Sequence, residues 1–121
     1  MSERLFSQNH IWVAENGGTL LLGITDYAQE KLGNIMFVNL PDIGDTVVKD
    51  RKFGDIESIK TVSDLLSPVD GEVVRINEEL IDEPERINAD PYACWPVEVK
   101  PACLPDGLVD EKTYLLQKDD G

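Results

Sequence analysis

The chain has little positive charge: 11 lysines and arginines stand against 24 aspartates and glutamates, giving a formal charge of −13 and a pI near 4.2 over 121 residues. Nucleic-acid affinity depends on basic groups that displace counterions from phosphates, so DNA and RNA are poor partners for this surface. An acidic field favours basic partner surfaces, and it serves plain solubility equally well. Long apolar runs are also absent. The longest, such as TLLLGI at 19–24, are far too short to cross a bilayer, and no membrane partner is expected. The start, MSERLFSQNH, lacks the basic patch and apolar core of a secretory signal. The chain therefore reads as cytoplasmic, or organellar where a transit segment has been removed.

Catalytic equipment is sparse. His10 is the sole histidine, and beside IWV it reads as structural rather than as the base of a nucleophilic triad. Cys94 and Cys103 are too far apart for a Cys-x-x-Cys motif, and with one histidine they do not make a closed zinc site, so no metal is assigned. Two reduced structural thiols are the simplest reading, while the spacing leaves a disulfide open. No Walker loop or Gly-x-Gly-x-x-Gly fingerprint is present. Carboxylates are so numerous that a pair of them diagnoses nothing, and a solvated face accounts for most. No catalytic residue is assigned.

What is present suits one compact domain over residues 1–121, with 41% hydrophobic residues. HIWVAENGGTLLLGI has two β-prone segments around NGG and predicts a hairpin. TDYAQEKLG predicts a short helix, capped by Thr25 or Asp26 and ended by Gly33. NIMFVNLPDIGDTVVKDRKFGDI predicts two or three strands. A weak internal repeat relates PDIGDTVV (41–48) to PVDGEVVR (68–75), with Pro41, Gly44, Asp45 and Val47 matching Pro68, Gly71, Glu72 and Val74. Further on, IDEPERINADP predicts an acidic surface loop in which Pro84 and Pro91 forbid a continuous helix. YACWPVEVKP reads as a final strand, placed at an edge because Pro96 cannot donate to a ladder. VDEKTYLLQKDDG, with acids early and Lys118 late, suits a C-terminal helix and its dipole.

Between the two repeat copies lies Lys60, the one basic residue between Lys52 and Arg75. Its surroundings are ambiguous in secondary structure. Ile56, Ile59, Val62 and Leu65 recur every third residue, as on an amphipathic helix, whereas the β-branched content and the breaks at Gly54 and Pro68 argue for two strands. A surface lysine is most often a solubilising charge. A Schiff-base lysine needs a desolvated pocket, which the acidic neighbours Glu57 and Asp64 do not suggest. Attachment of a carried group suits an exposed hairpin tip better, because the protein then presents a cofactor that supplies the chemistry.

Several segments together decide between these readings: GITDYAQEKLGNIMFVNLP, IGDTV, ESIKTVSDLLSPVDGEV, NADPY followed by Trp95, and the C-terminal DEKTYLL. They resemble the H proteins of the glycine cleavage system over essentially the whole chain. The resemblance implies a mainly β, barrel-sandwich hybrid fold of the lipoyl and biotinyl carriers with short peripheral helices. It also implies strands on both sides of Lys60. Lipoic acid would be attached covalently to Lys60; a biotin carrier would show methionines where Ile59 and Thr61 stand. The resemblance further implies a non-catalytic shuttle for the aminomethyl intermediate of glycine. Its partners would be glycine decarboxylase (P protein), aminomethyltransferase (T protein) and dihydrolipoamide dehydrogenase (L protein). Glu57 would serve recognition by the lipoyl-attaching enzyme, or simple solvation.

Three departures are visible. HIW stands where the family usually reads His-Glu-Trp, YACW is one residue short with Cys94 in place of glycine, and WPVEVKPACLPDG is unlike the usual link to the last helix. They leave the Lys60 segment intact and raise an alternative: an H-like lipoylated protein acting in lipoyl relay or in a macrodomain- and sirtuin-linked stress response. An interaction module with an unmodified Lys60 is a third reading, from a different class.

Overall fold

The computed structural model describes residues 4–102 and 107–117. Among the described residues, nine strands form two sheets that enclose one main core. In the six-stranded sheet, the strands are β1 (Leu5–Phe6), β2 (Ile11–Asn16), β3 (Thr19–Ile24), β5 (Thr46–Val47), β8 (Gly71–Ile76) and β9 (Val97–Pro101), ordered β1-β2-β3-β9-β8-β5. A second sheet has β6 (Lys52–Ser58) between β4 (Ile35–Asn39) and β7 (Val62–Leu66). The fold is the expected mainly β barrel-sandwich.

The NGG hairpin forms as predicted, with Gly17 and Gly18 at φ 60° and 97°, values that favour glycine. Helix α1 (Asp26–Leu32) starts where Thr25 Oγ1 accepts the Ala28 N–H at 3.2 Å, so Thr25 rather than Asp26 is the cap. Asp26 instead holds the Gln29 side-chain amide at 2.9 Å. The helix ends at Gly33, whose N–H donates to Gln29 O and whose φ of 76° with ψ of −150° is open only to glycine. The two repeat copies lie side by side: Thr46 faces Glu72 and Val47 faces Gly71 across the β5–β8 pair.

Two expectations need correction. The final strand β9 is central, not an edge, because it pairs with β3 on one side and β8 on the other. Pro96 lies just outside the ladder, so its missing N–H costs no strand bond. The acidic loop is also entered through one helical turn, α2 (Glu79–Asp82), and contains a second, α3 (Arg86–Ala89), the first ending before Pro84 and the second before Pro91. Each turn buries one apolar side chain, Leu80 and Ile87, which is what draws the loop onto the core. The last helix, α4 (Glu111–Gln117), forms; Tyr114 is buried while Leu116 is exposed. Cys103 and Lys118 lie outside the described residues.

The core draws Val13, Leu22, Val73, Val97 and Val99 from the larger sheet and Ile35, Val38, Ile56 and Leu65 from the smaller one. Phe6, Trp12 and Tyr114 make a second cluster under α4. Trp12 lies across Gly23, its cross-strand partner, where a Cβ would meet the indole ring at 2.5 Å. Trp12 Nε1 donates to Pro91 O at 3.0 Å and so ties the NADPY segment to this cluster. Cys94 is buried and donates its S–H to Arg86 O at 3.4 Å. Burial pushes its thiol pKa up, as expected of a structural thiol.

Candidate functional site at the Lys60 turn

Strand β6 ends at Ser58 and β7 begins at Val62, so Lys60 sits at the tip of a hairpin. The periodicity of three was misleading: Ile56 and Leu65 enter the core, whereas Ile59 and Val62 are exposed. No glycine makes this turn. Ser58 N–H donates to Thr61 O at 2.8 Å, and Ser58 Oγ accepts the N–H groups of Lys60 and Thr61 at 3.3 and 3.1 Å. A third tie comes from outside the hairpin, where Ile59 N–H donates to Asn34 O at 3.0 Å.

The residues on either side of Asn34 are in turn held by Asn88 on α3. Asn88 Oδ1 accepts the Ile35 N–H at 2.9 Å, while its Nδ2 donates to Gly33 O at 2.8 Å and to Gln29 Oε1 at 2.9 Å. One side chain thus joins the end of α1, the start of β4 and α3. Sequence reasoning quoted NADPY as a motif but found no task for Asn88; the signal was there without the contact.

Lys60 is exposed and makes no ion pair with any described residue. The nearby acids are engaged elsewhere. Lys52 reaches Asp55 at 3.1 Å and Asp64 at 3.4 Å, and these two carboxylates raise its own pKa. The Asn39 amide, 2.6 Å from Asp55, holds that carboxyl below its ordinary range, against its partial burial and with help from Lys52. Glu57 accepts a longer bond, 3.3 Å, from the same amide. Glu57 lies between Phe37 and Val62 in the sheet register, with its side chain on their face.

A groove of about 310 Å³ opens beside the turn. Thr61 and Val62 form part of its lip, buried Ile11, Ile24 and Leu65 contribute apolar wall, and Lys31 and Asp64 contribute charge. His10 also lines it. Its Nδ1 is 2.7 Å from Tyr114 Oη, which is 2.7 Å from Thr25 Oγ1, so the wall of the groove is linked to the C-terminal helix. Among the described residues no group of three or more His, Cys, Asp or Glu side chains is placed to hold a metal ion. No described helix is long and apolar enough to cross a membrane.

Fold and site together define a barrel-sandwich protein that presents one unpaired lysine at a hairpin tip. The family profile described as Glycine cleavage H-protein matches residues 4–120. A glycine cleavage system H protein from Clostridioides difficile is 49% identical over 117 residues, 94% of each chain. One from Halalkalibacterium halodurans is 49% identical over 102 residues, 84% of this chain and 80% of its own. The crystal structure of a glycine cleavage system H protein from Mycobacterium marinum has a TM-score of 0.89 over 98% of both chains, at 36% identity. The chain belongs to the glycine cleavage H-protein family.

Proposed function

We propose that the chain is a non-catalytic lipoyl carrier of glycine cleavage, with lipoic acid in amide linkage to Lys60 Nζ and Glu57 contributing to recognition by the attaching enzyme. The observation that carries this reading is the exposed, ion-pair-free Lys60 at a hairpin tip in a chain of this family. An amide can form only at an accessible amine, so the residues present fit the group. Lipoate on Lys60 would supply a dithiolane able to accept the aminomethyl group of glycine at the P protein and present it to the T protein, the resulting dithiol being reoxidised by the L protein with reduction of NAD.

The chain's own contribution is placement. Ser58 and the Asn34 carbonyl fix the backbone at the root of the arm, and the four-carbon stem carries the exposed amine beyond it. The groove starts at Thr61, the next residue, and offers an apolar wall with a polar lip to whatever the stem carries. The surface of net charge −13 favours rapid encounter with basic entrances of successive enzymes, as a shuttle requires.

Mass spectrometry of protein from its native cells tests the reading, with one lipoyl group expected on the peptide containing Lys60. Lys60→Arg keeps the charge, removes the acylatable amine and abolishes glycine-dependent NAD reduction in a mixture with the other three proteins. An unmodified Lys60 in cells that lipoylate other carriers sinks the proposal. One observation favours a second reading, lipoyl relay or a stress response: apolar Ile11 lines the groove where the family motif carries glutamate. That reading keeps lipoyl-Lys60 but gives no NAD reduction in the mixture.

A further inference from the structure

We propose that His10 is a proton-operated latch on the C-terminal helix: uptake of a proton at Nδ1 releases Tyr114 and lets α4 lift away from the wall of the groove. The inference stands independently of what Lys60 carries.

His10 occupies a constrained position. Its backbone φ of 65° lies in the left-handed region that residues other than glycine rarely adopt. Two bonds hold it there: His10 N–H donates to Ser7 O at 3.2 Å, and Thr25 N–H donates to His10 O at 3.1 Å. The ring packs against Tyr27 on α1, with centroids 4.8 Å apart, and edge-on against Tyr114 on α4 at 5.6 Å. A closed cycle results. His10 O holds the Thr25 backbone, while His10 Nδ1, Tyr114 Oη and Thr25 Oγ1 form a chain with both links at 2.7 Å.

The hydrogens in that chain can run in one direction only. Thr25 is fully buried, its Oγ1 accepts the Ala28 N–H, and among the described residues Tyr114 Oη is the one acceptor placed for its own O–H. Thr25 therefore donates to Tyr114, and Tyr114 donates to His10. Nδ1 is the acceptor, so the neutral ring carries its hydrogen on Nε2. A proton on Nδ1 reverses both bonds: Tyr114 must donate to Thr25, whose buried hydroxyl is left without an acceptor. The docked helix thus disfavours the imidazolium, and by reciprocity the imidazolium disfavours the docked helix.

The groups facing the ring do not reverse this. Tyr27 and Tyr114 supply phenols. On the groove side α1 brings Lys31, which opposes a second positive charge, and β7 brings Asp64, which favours one but is already bonded to Lys52 at 3.4 Å. Because the fold prefers the neutral ring, this stabilisation is complete above the ordinary histidine pKa of about 6.5 and is lost as pH falls through the folded midpoint. His10 is also groove wall, so acid loosens α4 and the groove beside Lys60 together.

The test is an NMR titration of the full chain from about pH 8 to about pH 4.5, where the single histidine gives one imidazole signal. Ring nitrogen shifts read the tautomer, ring protons read the midpoint, and the backbone amides of residues 112–116 read α4. The expected results are an Nε2–H ring at the alkaline end, a midpoint about one unit below the ordinary value, meaning about tenfold weaker proton binding, and α4 amides that follow the same midpoint. His10→Gln should leave those amides flat above the carboxylate range, and Tyr114→Phe should return the midpoint to about 6.5. An Nδ1–H ring, a midpoint at or above the ordinary value, or α4 amides that ignore His10 overturns the proposal. All three are read on the wild-type chain, so they stand even where a variant fails to fold. A folded Tyr114→Phe chain with the wild-type midpoint overturns it as well.

Discussion

The Cε atom of Lys60 lies 3.3 Å from the point a Cβ on Gly33 would occupy. The stem of the lysine therefore rests on the glycine that ends α1, and the absence of a side chain there is what lets it lie so low. Substitution at Gly33 acts twice, through backbone strain at φ 76° and ψ −150° and through displacement of the stem. Gly33→Ala is expected to cost about 2 kcal/mol in urea unfolding, within the range for strained backbone, and to slow ligase acylation of Lys60. Unchanged unfolding would mean that the junction relaxes without cost.

Asn88 holds the same junction from the other side. Asn88→Ala removes three hydrogen bonds and leaves the Ile35 N–H and the Gly33 carbonyl without this partner. A loss of about 2 kcal/mol is expected at a half-buried site. Amide hydrogen exchange should quicken at Ile35 and at Ile59, whose acceptor Asn34 sits between the two anchored residues. Faster exchange everywhere, with no excess at Ile59, would show Asn88 as a general stabiliser rather than a brace for the turn.

Glu98 on β9 is 6% exposed and is the most buried of the carboxylates held below their ordinary pKa. Burial alone would raise its carboxyl, but Thr19, Arg75 at 2.5 Å and Asn16 at 3.2 Å donate to it and hold its pKa below the ordinary 4.5. Arg75 is itself fixed by stacking on Trp95 at 4.7 Å. Because the folded-state pKa is depressed, this stabilisation is complete above the unfolded carboxyl's range and is lost as pH falls through the folded value. Glu98→Gln should flatten the acid limb of the stability curve below about pH 4.5, while an unchanged limb would assign acid sensitivity to other carboxylates.

Tyr114 gives the matching prediction at high pH. Burial pushes its phenol up to about 12, partly offset by the hydrogen bond with Thr25. A raised phenol pKa means stability that is intact below the ordinary tyrosine range and lost as pH climbs through the folded value. In an ultraviolet titration one of the three tyrosines should ionise near 12. Tyr114→Phe should remove that late step and cost about 1 to 2 kcal/mol, since His10 and Thr25 each lose a partner.

Local chemistry was enough to place the NGG hairpin, the Thr25-to-Gly33 helix and the lone Lys60, because turns, caps and an isolated charge act over a few residues. The helix-like spacing at Ile56, Ile59, Val62 and Leu65 could not be settled that way, since apolar spacing does not say which side chains find a core. Burial settled it, taking Ile56 and Leu65 inward and leaving Ile59 and Val62 out.

The sequence by itself determined the acidic surface, the strand-rich pattern and the identity of the presented amine. Only the tertiary structure decided that β9 is central, that Asn88 braces the Lys60 turn from 55 residues beyond Gly33, and that Phe37, Glu57 and Val62 form one row. The physical reason is range: strand register and side-chain bridges join residues far apart in the chain, and those pairings follow from the burial of the whole core rather than from any local segment.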